Sequence, residues 1–281
     1  MNVAISLEIG FTTVFHLRSS HIDMPHESSE RRATLLAIRT EKLRNAYAFI
    51  TAGGRLADPT ASQRSDERFE TPQGDLCCSH AVTVHFPGVK SIQQVFAALL
   101  FYVDNMEIII SERLGHITVR DDYDYIKGSG YNSRIISRDQ NGIAIESSVV
   151  AFGGLFEERK GGFVHESCAI VAIDSVDKDE LYPYVPSERV RRDVSVAIVL
   201  TARRRKPKDP PESPREPSSV CTEVPEADDE LVVTMRRAAF LKLHHPEFPV
   251  SKSALQELQG NIAQWGDVML QSIRGVLDAT H

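Results

Sequence analysis

Cysteine is scarce in this sequence, and no stretch stays apolar for long. The four cysteines are Cys77, Cys78, Cys168 and Cys221, without a CxxC pair or a paired Cys/His spacing of the kind that binds zinc. We therefore expect a reducing compartment and predict neither a metal site nor a cofactor. No run approaches the roughly 20 apolar residues that span a bilayer, so no transmembrane segment is predicted. The mildly apolar start lacks the basic flank and cleavage site of a signal peptide, which favours a cytoplasmic location.

Positive charge is also in short supply. The net charge is −7, and the segment from Pro207 to Glu230 holds eight acidic and two basic residues, which leaves the rest close to neutral. A near-neutral surface gives no general reason to bind nucleic acid, so direct nucleic-acid binding is not expected. The same segment carries six prolines, and this composition predicts a disordered insertion over 207–230. The basic cluster Arg203–Lys208 beside it is read as a solvated strand end, with a nuclear-localisation signal as the alternative.

Catalytic signatures are missing as well. Ten histidines occur without HExxH spacing, and His80 and His85 fall five residues apart on a predicted strand, where they face opposite sides. The glycine-rich stretches match neither a nucleophile elbow nor a phosphate loop. No acid/base pair stands out, so the sequence favours a non-catalytic protein. A cyclase-like enzyme remains an alternative that would need two titratable groups converging in a cavity.

Three amphipathic helices are predicted from apolar spacings of three and four residues. The first covers Ser28–Ile50, and the second follows Ser91, where Gln94 completes a capping box. The third covers Ala254–Ala279, with Ser253 and Gln256 at its start. At ~1.5 Å per residue it would be about 39 Å long and cross a whole sheet.

Short β-prone runs fill the space between these helices, after a loop predicted over Arg55–Gly74. The predicted strands are Cys77–Phe86, Met106–Ser111, His116–Arg120, Ser133–Ser137, Gly142–Phe152, Phe163–Ile173, Val194–Thr201 and Leu231–Leu243. The stretch Asp139–Gly142 predicts a hairpin turn, because Asn and Gly tolerate positive φ. We expect the last strand to pair with Val194–Thr201. One domain over 28–281, interrupted by the insertion, would follow a flexible segment over 1–27.

This order of elements resembles the START-like helix-grip fold, an α+β fold in which a curved antiparallel sheet is wrapped around a long C-terminal helix. The phrases HFPGVKSIQQVFAALLFYVDNMEI, SERLGHITVRDDYD, RVRRDVSVAIVLTARRRK and QWGDVMLQSIRGVL resemble oomycete START-like proteins over about Glu70 to Asp278. In some members of that group a basic leucine zipper precedes the domain. Ser28–Ile50 holds at most two loose heptads, so DNA binding is not carried over.

The resemblance implies a cavity between the sheet and the last helix that holds an apolar small molecule of the lipid or sterol class. The alternative is a ligand-free regulatory module that binds a protein partner. The aliphatic and aromatic residues expected to face the ligand are Val84, Ile108, Ile110, Ile117, Ile143, Ile145, Ile170, Val196, Ile198, Trp265, Met269 and Ile273. Three polar residues, Arg134, Glu146 and His165, are expected to orient a head group, and at least one of them should lie inside a cavity.

Overall fold

The computed structural model describes residues 21–52, 62–126, 130–159, 162–205, 230–261 and 264–280. Residues 1–20 and nearly all of the predicted insertion at 207–230 lie outside the described residues. The helices are α1 (Ser28–Thr51), α2 (Ile92–Asp104), α3 (Met106–Leu114), α4 (Lys252–Asn261) and α5 (Gln264–Asp278). The strands are β1 (Asp23–Met24), β2 (Gln63–Glu70), β3 (Leu76–Pro87), β4 (Ile117–Ile126), β5 (Gly130–Arg138), β6 (Ala144–Phe156), β7 (Cys168–Ser175), β8 (Lys178–Asp179), β9 (Val190–Arg205) and β10 (Glu230–Leu243).

One eight-stranded sheet organises the chain. Its order is β2-β3-β10-β9-β7-β6-β5-β4, and every neighbouring pair is antiparallel. Strand β10 pairs with β9 over its full length, from Glu230 opposite Arg205 to Leu243 opposite Arg192. This confirms the pairing predicted for Leu231–Leu243 with Val194–Thr201.

The two faces of the sheet are covered by different helices. Side chains alternate between the faces with a period of two. Accordingly, Ile170 and Ala172 of β7 join the core under α1, while Ala169 and Val171 join the core under α2, α3 and α5. The resulting architecture is an α+β fold of helix-grip-like type, with the C-terminal helix on one face and α1 added on the other.

Two of the predicted local signals have the geometry expected of them. The Ser91 hydroxyl accepts the backbone N–H of Gln94 at 3.2 Å and so caps α2. At the β5–β6 turn, Gly142 has a φ of 77°, and the Asp139 carboxylate accepts the N–H groups of Asn141 and Ile143 at 3.0 and 2.9 Å. The hairpin and the Ser91 cap predicted from the sequence are confirmed. The capping box is not complete, because the Gln94 side chain accepts the backbone N–H of Lys90 at 2.8 Å rather than that of Ser91.

Two predicted elements are wrong. Met106–Ser111 is the start of helix α3 rather than a strand: Ile110 is fully buried and Ile108 is 55% exposed, and Gly115 ends the helix in the left-handed region. Packing overrides the β propensity of the isoleucines here. The predicted loop Arg55–Gly74 contains strand β2, whose mostly charged residues suit the solvated edge of a sheet and so lack an apolar signal.

The C-terminal helical region begins earlier than predicted. Ser251, not Ser253, caps α4, because its hydroxyl accepts the Ala254 N–H at 3.2 Å. Residues 262–263, between α4 and α5, lie outside the described residues. Within the described ranges no single helix is long and apolar enough to cross a membrane; α2 and α3 reach that length and composition only when counted together across a 74° bend.

The described part of the N-terminal segment, residues 21–27, packs against the domain. Ile22 and Met24 are buried, and β1 pairs with β8 in parallel. Two buried cations then tie α1 to the sheet. Arg31 donates to Asp124 at 2.5 Å and to both oxygens of Asp179 at 2.8 and 3.0 Å. Lys42 Nζ lies 2.5 Å from Asp174 Oδ2.

Candidate functional site

A partly enclosed cavity of about 120 Å³ lies between the sheet and helices α2, α3 and α5. Strands β3, β5, β6, β7, β9 and β10 supply one wall, and the three helices supply the other. Most of the surface is aliphatic or aromatic, including Val103, Met106, Ile135, Val149 and Ile173. Apolar cavities of this kind are the usual sites of small ligands.

Four residues predicted from the sequence as ligand contacts line this cavity: Val196, Ile198, Trp265 and Met269. Three more lie in the same apolar core without reaching the cavity wall: Val84, Ile110 and Ile273. The structure therefore brings together the predicted residues of β9 and α5.

The other predicted apolar residues lie elsewhere. Ile143 and Ile145 join a separate small cluster with Leu243 and Leu258. Ile170 lies in the core on the opposite face of the sheet. Ile108 and Ile117 are 55% and 71% exposed. The period-two alternation of each strand, together with the helical state of α3, decides these placements.

None of the three predicted polar residues lines the apolar cavity. Arg134 pairs with Asp121 at 3.2 Å, and His165 is exposed. Glu146 is buried, lies 2.9 Å from Arg189 and lines a different, polar pocket of about 550 Å³. Burial raises the pKa of Glu146, against the opposing effect of nearby arginines.

The cavity instead contains a guanidinium that sequence reasoning missed. Arg192 of β9 is 6% exposed, and its Nε donates to Ser147 Oγ at 3.1 Å. The guanidinium carbon lies 3.8 Å from the ring centroid of Trp265, a cation–π contact. Burial lowers the pKa of Arg192 to about 10, so the group stays charged at neutral pH.

A second guanidinium reaches the cavity from β10. Arg237 is 5% exposed, and its Nη2 lies 2.7 Å from Nδ1 of His80. Helix α5 approaches it closely at Gly266, where an added Cβ would lie only 2.2 Å from Arg237 Nη1. Burial lowers the pKa of Arg237.

The protonation of His80 follows from its position. Burial first, and then the charge of Arg237, lower the pKa of His80 to about 4. The imidazole is therefore neutral at neutral pH. Since Nδ1 accepts from Arg237, the proton is carried by Nε2, which has no hydrogen-bond partner among the described residues.

No acidic side chain balances these two charges within the described ranges. The cavity lining holds no Asp or Glu, and no carboxylate lies within 4.0 Å of Arg192 or Arg237. The carboxylate of Asp267 influences Arg237 from farther away, but it already pairs with Arg64 at 3.0 Å. One feature of the sequence indicates that Arg237 faces the apolar core: Val233, Met235 and Ala239 lie on the same face of β10 and are buried.

Comparisons with known proteins identify no family for this chain. No family model matches the chain, and no curated protein matches it. Similar solved structures include the crystal structure of Ara h 8.0201, at 10% identity over 71% of this chain and 99% of that one, with a TM-score of 0.28. Another is the di-domain ARO/CYC BexL from the BE-7585A biosynthetic pathway, at 10% identity over 71% of this chain and 50% of that one, with a TM-score of 0.31.

A third is an uncharacterised protein from Rhizobium leguminosarum, at 12% identity over 77% of this chain and 99% of that one, with a TM-score of 0.30. At such TM-scores these likenesses carry no argument about function. None of them bears on the resemblance to oomycete START-like proteins. The helix-grip-like α+β architecture is therefore described from the strand order and helix placement of this chain itself.

Proposed function

We propose that this protein binds a small, largely apolar molecule in the cavity between the sheet and helix α5, without transforming it. The observation that carries the proposal is the cavity itself: a partly enclosed space with mainly aliphatic and aromatic walls, set between two covering layers. A well-packed core of this size has few voids larger than a water molecule. A cavity of about 120 Å³ therefore favours a protein that binds a small molecule.

The volume restricts the occupant. Ligand pockets for drug-sized molecules are commonly ~300–1,000 Å³, and an apolar cavity of ~150 Å³ accommodates benzene. The cavity of about 120 Å³ suits one ring or a short branched chain. A lipid or sterol, the class expected from the sequence, would require the cavity to widen severalfold.

The titratable groups in the cavity support binding rather than chemistry. His80 is neutral at neutral pH because its pKa is lowered to about 4, and burial raises the pKa values of Tyr102 and Tyr131. General acid–base catalysis works best with groups whose pKa lies near the working pH. The described lining residues offer no such pair.

Native mass spectrometry of the protein purified from its own cells tests this proposal. We expect one small molecule per chain, identified after organic extraction. Val196→Phe, which adds a ring to the cavity wall, should abolish its retention. Val119→Phe makes the same change at a site that is 53% exposed on β4, and it should retain the molecule. A wild-type protein that carries no molecule, or a Val196→Phe variant that carries as much, would contradict the proposal.

A protein-interaction module is the second candidate, and one observation favours it. The edge strand β4 exposes Ile117, Val119 and Tyr125, at 71%, 53% and 60%, beside Ile108 of α3. Unpaired strand edges with exposed apolar residues are common binding surfaces. Affinity purification with wild type and an Ile117→Asp/Val119→Asp variant tests it: a partner lost from the variant supports this function, and equal recovery contradicts it.

A further inference from the structure

We propose that the molecule held in the cavity is an organic carboxylate, with its acid group bound by Arg237 and its compact apolar body against the aliphatic wall. This inference rests on the proposed function and names the chemical class of the ligand. It is carried by two buried guanidinium groups that lack an acidic partner among the described residues.

Burying a charge without a partner is costly. Moving one ion from water into a protein interior costs several kcal/mol even after relaxation. Buried cations are therefore normally paired with anions. Arg31 and Lys42, on the opposite face of the sheet, follow this rule, with carboxylates at 2.5 Å from each. Arg192 and Arg237 do not, although they are 6% and 5% exposed.

The surroundings hold both guanidinium groups in place without neutralising them. Trp265 and Ser147 contact Arg192, and neither carries a charge. Arg237 contacts the neutral imidazole of His80. Helix α5 leaves room for the Arg237 head group by having glycine at position 266.

The unused polar atoms are donors, which specifies the missing partner. Arg237 Nε and His80 Nε2 are buried and have no hydrogen-bond partner among the described residues. Both arginines line the cavity, Arg192 beside Trp265 and Arg237 beside Gly266. A negatively charged acceptor beside Arg237 balances its buried charge.

The shape and polarity of the cavity favour a carboxylate with an apolar body over a bare inorganic anion. A planar carboxylate matches the fork of a guanidinium and accepts two parallel hydrogen bonds. Apart from His80, Ser147 and the tyrosine hydroxyls, the rest of the wall is aliphatic or aromatic and suits an apolar body that an inorganic ion lacks. A single ring or short chain fills the volume of about 120 Å³.

Calorimetric titration of the full chain with benzoate, benzamide and benzene at fixed ionic strength tests this inference. The three probes share a ring and differ in charge and polarity. We expect benzoate to bind about tenfold or more tightly than benzamide, since charge-assisted hydrogen bonds are roughly twice as strong as neutral ones. Arg237→Met should remove most of this preference. Arg236→Met, one residue away on the opposite face of β10, should keep it.

The outcomes separate the two proposals. Saturable binding of the probes without a preference for benzoate would overturn the carboxylate inference and leave the proposed function standing. A benzoate preference that survives in Arg237→Met would also overturn it, because the anion would then bind elsewhere. If none of the three probes binds saturably, the proposed function itself fails.

Discussion

Replacing Arg237 with methionine should stabilise the ligand-free protein. The side chain is buried in the cavity wall, and burial lowers its pKa, so its charge is held in a poorly solvating environment. Methionine keeps much of the length and flexibility of arginine and carries no charge. The substitution removes the cost of an unpaired buried cation, which amounts to several kcal/mol.

Part of that gain is offset by the loss of one contact. Arg237 Nη2 donates to His80 Nδ1 at 2.7 Å, and leaving a buried acceptor without its donor costs ~1–3 kcal/mol. We therefore expect Arg237→Met to raise the free energy of unfolding by about 1–2 kcal/mol. The double variant Arg237→Met/His80→Leu leaves no orphaned acceptor and should gain about 2–4 kcal/mol.

Urea denaturation without added ligand measures both values, and calorimetry should show a rise in Tm of ~2–4 °C for each kcal/mol. Arg204→Met is the control; its side chain is exposed on β9, and its effect should stay within about 0.5 kcal/mol. If Arg237→Met lowers the free energy of unfolding by about 1 kcal/mol or more, the guanidinium has a stabilising partner and is not an unpaired buried charge.

Substitutions at Gly266, Lys42 and His80 test three other contacts. Gly266→Ala should weaken benzoate binding about tenfold in calorimetry, because the new Cβ would collide with the guanidinium at 2.2 Å; Gly275→Ala on the same helix, with nothing within 4 Å, should leave the affinity unchanged. Lys42→Met should lower the free energy of unfolding in urea by ~3–5 kcal/mol, because it leaves the buried carboxylate of Asp174 unpaired. His80→Phe should flatten the fall in stability between roughly pH 6.5 and pH 4, since the folded pKa of His80 is about 4.

The sign of the pH effect follows from proton counting. Between about pH 4 and pH 6.5 the unfolded chain carries a proton on His80 that the folded protein does not. Stability therefore falls with decreasing pH, by up to ~1.4 kcal/mol per unit for this one group. An unchanged slope in His80→Phe would contradict this account. A tenfold loss of benzoate affinity in Gly275→Ala would contradict the prediction for Gly266. A decrease of less than about 1 kcal/mol in the free energy of unfolding of Lys42→Met would contradict the prediction for Lys42.

Most of the sheet can be predicted from the sequence, because its interior strands carry strong local signals. Leu231–Leu243 and Val194–Thr201 are rich in β-branched and apolar residues, and their pairing follows from the insertion between them. Edge strand β2 is not predicted from the sequence because its mostly charged side chains are solvated and give no apolar alternation. Helix α3 is not predicted because MEIIISERL has the composition of a strand. Only the burial of Ile110 against the neighbouring elements identifies a helix.

The cavity is less predictable, for reasons of register and charge. Val196 and Ile198 reach it, while Ile170, equally apolar, faces α1; choosing between faces requires the register of every strand. Arg192 and Arg237 each follow or precede another charged residue, so both look like solvated strand positions in the sequence. The absence of a nearby carboxylate among the described residues is a property of the folded chain.

A crystal structure of the protein with benzoate would locate the bound acid group. We expect one benzoate in the cavity, with its carboxylate oxygens ~2.7–2.9 Å from guanidinium nitrogens of Arg237. Its ring should contact the aliphatic wall near Val196 and Met269. A benzoate whose carboxylate lies in solvent, or one bound only outside the cavity, would show that the cavity does not bind carboxylates.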